Sequence, residues 1–251
     1  RWNVTVMGST LKNKVLKLTG NGEDIVNGVY IIREGQEINT FYMSKSAGVD
    51  PTTGEQLYWA YEKNADGSMK PGSEYVTNDA TVAASCKYLQ GSRIPDIYGS
   101  ISSSLKFRGF DLGLLFTYSL GGKIYDSIYN ALMEPSFVGQ TYHRNALRTW
   151  TAPGQRTDVP RTTTTASTQI TDRYLIDASY FAVKNISLGY SLPKQLLGKV
   201  GIESLRVYLA ADSPWIFTHL KGMNPQASFT GSTSYSYTPN RTFTLGVDLK
   251  F

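Results

Sequence analysis

Enzymatic chemistry needs side chains that attack, ligate or exchange protons within reach of one another, and this chain offers few. Its two histidines, His143 and His219, lie far apart and lack ligand spacing. The single cysteine, Cys86, has no neighbouring base motif and cannot form an internal disulfide. No glycine-rich phosphate loop and no paired-cysteine motif occurs. The nearest thing to a cation loop is Lys63-Asn64-Ala65-Asp66-Gly67-Ser68, with one carboxylate, where calcium takes roughly six to eight oxygens. A plain turn is expected there, with no metal, no cofactor and no catalytic residues. What the side chains can do is hold a ligand. Recognition of a glycan or peptide wants exposed rings beside hydrogen-bonding groups, and the candidates for such contact are Tyr58, Trp59, Tyr61, Trp150, Tyr235 and Tyr237. Each can equally be loop packing, and the run Thr162 to Thr165 reads as an ordinary polar loop.

The elements that must position these residues are strands. Tyrosine outnumbers phenylalanine 17 to 10, and the abundance of Gly, Ser and Thr beside these aromatics suits strands and turns better than helices. Mean hydropathy is −0.26, and no stretch reaches the roughly 18 consecutive apolar residues of a membrane helix. A helical membrane protein is excluded. A β-barrel is not, because its strands show lipid only every second residue. The net charge of +5 is spread along the chain, which leaves no electrostatic footprint for nucleic acid.

Alternation with period two is clearest at the end. Phe243, Leu245, Val247, Leu249 and Phe251 share one face, and Thr242, Thr244, Gly246, Asp248 and Lys250 the other. Leu205, Val207, Leu209 and Ala211 alternate with Arg206, Tyr208, Ala210 and Asp212, leading to Trp215 and Phe217. A hairpin over 97–107 and 110–120, turning at Arg108-Gly109, repeats the pattern. In 180–192 the phase of Phe181 and Val183 differs from that of Ile186, Leu188, Tyr190 and Leu192, so a β-bulge at Lys184-Asn185 is expected. Trp2 to Val6 and, less regularly, Tyr30 to Met43 supply two further strands, seven in all.

Connections alternate between long (44–96, 121–179, 218–241) and short (108–109, 193–202), as in outer-membrane barrels with short periplasmic turns and long outer loops. The linker Leu11 to Val29 fits less well, being long for such a turn. Aromatics fall into two expected girdles, Trp215, Phe217 and Tyr118 at one level and Phe107, Phe110, Tyr190 and Phe251 at the other. The fold class is therefore an all-β, antiparallel transmembrane barrel. The chain opens mid-strand without a secretory signal, which suggests an N-terminus further upstream.

Several blocks resemble one family. Arg93-Ile94-Pro95-Asp96-Ile97-Tyr98-Gly99, Phe107-Arg108-Gly109-Phe110-Asp111-Leu112 and Phe116 through Tyr125 are similar to a hairpin of SusC/RagA TonB-linked outer-membrane proteins. So are Tyr174 through Tyr180, Val183 through Pro193, Ser204 through Tyr208, Pro239 through Phe251, and the earlier Ile31-Ile32-Arg33-Glu34-Gly35 and Val49-Asp50-Pro51-Thr52-Thr53-Gly54. The resemblance implies the C-terminal portion of a barrel of roughly 22 strands, with residues 1–251 supplying barrel wall and extracellular loops, and plug and TonB box absent from this chain. It also implies residence in the outer membrane of a Gram-negative bacterium, import of an oligosaccharide or peptide, a SusD-like surface lipoprotein as partner, and the TonB complex reached through the missing part. The closing strand, ending at Phe251, resembles the signal read by barrel-assembly machinery. The alternative is a soluble or secreted β-sandwich that binds glycans.

Overall fold

In the computed structural model, the described residues are 1–134, 139, 141–162, 169–197, 201–219, 224–228, 230–232, 235, 237 and 239–251. Along the chain the strands begin with β1 (Trp2–Ser9), β2 (Ile25–Asn27), β3 (Tyr30–Ile32), β4 (Thr40–Val49), β5 (Gln56–Ala60) and β6 (Tyr75–Thr77). A short helix α1 (Ala80–Ser85) precedes β7 (Lys87–Ser92), β8 (Ile97–Phe107), β9 (Phe110–Leu120) and β10 (Lys123–Tyr125). Helix α2 (Ser127–Met133), β11 (Leu175–Asp177), β12 (Tyr180–Ser191), helix α3 (Lys194–Leu197), β13 (Ser204–Thr218) and β14 (Thr242–Lys250) complete the order.

Six of these strands form one antiparallel sheet, β1-β8-β9-β12-β13-β14. Directly opposed residues share a face, so the register shows what each face holds. One rung reads Leu105, Leu112, Leu188, Leu209 and Leu245, and another Phe107, Phe110, Tyr190, Val207 and Val247. The other face carries Ser104, Gly113, Ser187, Ala210 and Thr244. The apolar face is bare: Leu245 is 71% exposed, and Phe243, Val247 and Leu249 are exposed beside it. A β-sandwich would bury that face under a second sheet, so this arrangement is the wall of an outer-membrane barrel.

The hairpin turn at Arg108-Gly109 has positive φ at both residues (47° and 88°), the geometry a two-residue connection needs to match strand twist. A Cβ on Gly109 would lie 2.8 Å from the Ser191 carbonyl, so this position requires glycine. The expected bulge is present, with the register of β12 shifting between Val183 and Asn185 against both neighbours.

Two expectations need correction. Tyr30 to Met43 is not a wall strand. It divides into β3 and the start of β4, which belong to a second sheet, β2-β3-β4-β5-β6, with β7 on β4. The wall therefore has six strands among the described residues, not seven. Leu11 to Val29 is no turn at the short-loop edge either, because β1 pairs directly with β8. All of 10–96 is one excursion, leaving the same edge as 121–179 and 219–241. These excursions pack on one another. Phe41 and Met43 from the first bury against Tyr125, Met133, Val159 and Tyr174 from the second. Among the described residues the largest apolar core thus lies in the loop cap, since a wall with lipid on one side and water on the other has no interior to fill.

The assignment of faces is checked by a pair of substitutions on adjoining rungs in the full-length parent protein. Leu114→Arg is expected to block assembly into the outer membrane, with a cost of about 2–4 kcal/mol near the bilayer midplane. Ser104→Arg, on the polar face beside Gly113, is expected to assemble normally. Heat-modifiable mobility on gels reads the difference, and equal tolerance of both would reverse the assignment.

Candidate functional site

The surface able to meet a solute comprises the polar face of the wall and the cap above it. Near the short-turn edge, the Arg206 guanidinium reaches across β12 to Asp111, donating from Nε to Oδ1 (2.9 Å) and from Nη2 to Oδ2 (2.7 Å). Its Nη1 donates to Asp248 Oδ2 on the other side at 3.0 Å. The three charges span four strands only because Gly189 lies between them. A Cβ there would stand 2.6 Å from Asp111 Oδ1 and from Arg206 Nη2. Gly246 likewise leaves room for the Tyr208 ring, which the Arg206 guanidinium overlies at 4.8 Å. Forked, charge-assisted bonds of this kind fix register as well as contributing energy.

Higher on the same face, Asn185 Nδ2 donates to Asp212 Oδ1 at 2.7 Å, and Lys184 Nζ to Gln226 Oε1 at 2.6 Å. Gln226 belongs to a short 3-10 turn, Pro225–Ala227, within the last excursion. Pattern reading missed this turn, and the available signal was the Asn224-Pro225 pair, which favours turn initiation.

In the cap, the Asp50-Pro51-Thr52-Thr53-Gly54 segment is a clamp. The Asp50 carboxylate accepts from the Thr52 amide (2.7 Å) and the Thr53 hydroxyl (3.1 Å), which holds its pKa below the ordinary value. Gly54, at φ 74°, receives the Trp150 ring so closely that a Cβ would overlap it. The indole Nε1 donates to the Pro51 carbonyl at 2.9 Å. Arg161 completes the contact, its amide donating to Gly54 O at 2.8 Å and its guanidinium pairing with Glu55 at 2.8 Å. Deeper in the cap, Asp172 Oδ1 accepts from the Ser46 amide at 2.8 Å, and burial raises its pKa.

The six rings proposed for ligand contact separate. Tyr58 is 2% exposed and Tyr61 8%. The Tyr58 hydroxyl accepts from the Gln169 amide (3.2 Å) and the Tyr61 hydroxyl donates to Lys87 O (3.1 Å), so these two pack inside the cap and face no solute. Trp150 is half-buried in its clamp, and Trp59 lies half-buried beneath the Lys45 ammonium, 5.5 Å from its ring. Tyr235, 80% exposed, and Tyr237 stand free. Asp66 closes on the Ser68 amide at 2.9 Å in a turn between Lys63 and Met69. The 163–165 part of the threonine run lies outside the described residues. Of the wall aromatics, Phe107, Phe110 and Tyr190 share one rung of adjoining strands at the short-turn edge, with Phe110 and Tyr190 centroids 4.6 Å apart, and Phe251 follows β14 there. Tyr118, Trp215 and Phe217 lie toward the other edge, where the Tyr118 hydroxyl donates over Gly99 to Met7 O at 3.1 Å.

No family model matches the chain. It is 28% identical to TonB-dependent receptor P3 of Formosa agariphila, over all of this chain and 27% of that protein. It is 24% identical to TonB-dependent receptor SusC of Bacteroides thetaiotaomicron, over all of this chain and 24% of SusC. Among solved structures it resembles the RagAB peptide importer in its closed-closed state, with a TM-score of 0.84 and 26% identity, covering the whole chain and 27% of that one. The open-open state gives a TM-score of 0.76 at the same identity. The chain spans about a quarter of the length of the relatives it matches.

Two measurements on the full-length parent check the cap. Gly54→Val combines a branched side chain with positive φ and displaces Trp150, and is expected to raise amide exchange across 149–161. A change confined to residues 50–55 would refute the clamp. Asp172 gives a pH dependence. Its folded pKa is raised above the ordinary 3.8, so its contribution to stability is fully present below that value and is lost as pH rises through the folded pKa. Asp172→Asn, whose amide oxygen still accepts from Ser46, is expected to slow cap exchange at neutral pH and leave it unchanged in acid. Equal effects at both pH values would refute this.

Proposed function

From the premise that this chain is a barrel part of a SusC/RagA-type TonB-linked protein of the outer membrane, we propose that it supplies wall and external loops of an energy-coupled importer of oligosaccharides or peptides. One observation carries the reading. Six strands hold a predominantly apolar face outward, interrupted at Ser103, and a predominantly polar face inward, and every long excursion leaves from one edge. A wall of this kind separates hydrocarbon from a hydrated conduit, and its loops meet cargo before the conduit does.

The division of labour follows from chemistry. The aromatic rows at the two edges sit at the headgroup levels, and the closing strand from Phe243 to Phe251 presents the assembly signal. Cargo is bound and released without covalent change, so the chain has no enzymatic role. Polar groups along the inner face offer exchangeable hydrogen bonds, and exposed Tyr235 and Tyr237 offer flat rings for sugar or peptide groups at the mouth. A SusD/RagB-like lipoprotein caps the outside, and TonB drives the cycle through the part of the protein beyond this chain. In support, one relative is the receptor SusC, and the RagAB structures are those of a peptide importer.

The test uses the full-length parent in its own cell. Deletion of its gene is expected to abolish depletion of either a maltodextrin ladder or a casein digest from the medium, and the tagged protein is expected to extract only with detergent, together with a lipoprotein. The double variant Tyr235→Ala with Tyr237→Ala is expected to assemble normally and to raise the half-saturating cargo concentration about tenfold, given roughly 0.5–1.5 kcal/mol for each ring contact. Unchanged depletion of both mixtures after deletion would overturn the reading.

A further inference from the structure

The last excursion does not simply rise away from the barrel. Its turn at Asn224–Ser228 is tied down at two places. From above, Arg93 Nη2 donates to the carbonyls of Pro225 (3.0 Å) and Ser228 (3.1 Å). From below, the Gln226 side chain meets the polar face of the wall, accepting from Lys184 Nζ at 2.6 Å and lying 3.5 Å from Thr117 Oγ1. Thr117 stands three residues inside the end of β9, which is about 10 Å at roughly 3.3 Å per residue. The turn therefore reaches down into the conduit side of the wall.

The attachment is built, not incidental. Gly231 (φ 87°) lies against the Arg93 side chain, where a Cβ would come within 2.5 Å of Cδ. The Gly231 carbonyl accepts from the Tyr125 amide at 2.7 Å, joining the turn to β10. Asn224 Oδ1 caps the Gln226 amide at 2.9 Å. The bulge at Lys184, which keeps the apolar face in phase, also turns this ammonium toward the inside, where it meets the turn.

We propose that residues 224–228 form an internal constriction of the conduit, with Arg93 as its positioning residue and Gln226 and Lys184 as the polar shelf that passing oligosaccharide or peptide touches. The proposal rests on the importer reading for its cargo, but its geometry is tested without transport. A neutral carboxamide beside an ammonium exchanges hydrogen bonds with hydroxyls, amides and carboxylates alike, so the shelf limits size while accepting many sequences.

In the full-length parent assembled in the outer membrane, Thr117→Cys with Gln226→Cys is expected to be bridged by a short bis-maleimide. Native Cys86, 2% exposed, stays unreacted. Arg93→Gln in that background is expected to lower the bridging yield about tenfold, because two charge-assisted bonds to carbonyls are lost, and Arg93→Lys is expected to restore part of it. In the parent without the two introduced cysteines, Arg93→Gln is expected to shift the longest maltodextrin or casein peptide depleted from the medium upward. Failure of the pair to bridge in the Arg93 parent overturns the inference, as does a yield indifferent to Arg93→Gln in assembled protein. Bridging without any depletion of either mixture would instead count against the importer reading.

Discussion

A strand in a bilayer must satisfy every backbone polar group through its neighbours while keeping its apolar side chains on one side. Both demands act together at the bulges of β12 and β13. Between the rung of Phe116, Val183 and Trp215 and the next rung of Leu115, Asn185 and Asp212, β9 advances one residue, β12 two and β13 three. One extra residue in β12 reverses the parity of its sequence pattern. Two extra residues in β13, at Ser213 and Pro214, leave the parity of that strand unchanged. Ser213 takes φ 50°, and Pro214 has no amide to offer a ladder. The wall accommodates these insertions without turning the Lys184 side chain toward lipid.

This explains which parts of the fold could be read from residue order. The wall was legible because its constraint has period two and acts over about ten residues per strand, so Val183 followed by Ile186 identified the bulge. The insertion in β13 was invisible, since two extra residues leave alternation intact. The cap was largely illegible. Its strands are short, and their faces are buried by excursions far away in sequence, as Phe41 is by Tyr174. Tyr30 to Met43 therefore resembled a wall strand with an interruption, and Tyr58 and Tyr61 resembled loop aromatics although they are core. The rings that stay exposed, Tyr235 and Tyr237, lie in a Ser- and Thr-rich stretch, whereas Tyr58 and Tyr61 stand among Leu57, Trp59 and Ala60, a difference in apolar neighbours that was the available signal.

The polar face has its own logic, expressed through glycines. Gly189 and Gly246 share the rung of Tyr208, between them leaving space for the Tyr208 ring and for the Arg206 guanidinium from the same strand, so large inward side chains lie flat across the wall instead of projecting into the conduit. On the outer face Gly8 and Gly99 do the same for Tyr118. A polar residue in place of these glycines would preserve the alternation and still break the ion network, because the network needs space more than it needs polarity.

The motif residues at the top of the β8–β9 hairpin join these levels. Gly121 and Gly122, at φ 80° and 73°, leave space for the Asp96 carboxylate and the Arg93 carbonyl, while the Arg93 guanidinium continues upward to the turn at 224–228. The same short segment thus ends a wall strand, seats the cap and carries the last excursion. Burial lowers the Arg93 pKa, a cost that a loop tether could avoid with an uncharged donor. Fixing two carbonyls from one side chain, with a rigid planar group at a stated height above the wall, is a positional requirement. That requirement sets the depth of Gln226 against Lys184 and Thr117, and so ties the geometry of the conduit to the packing of the cap.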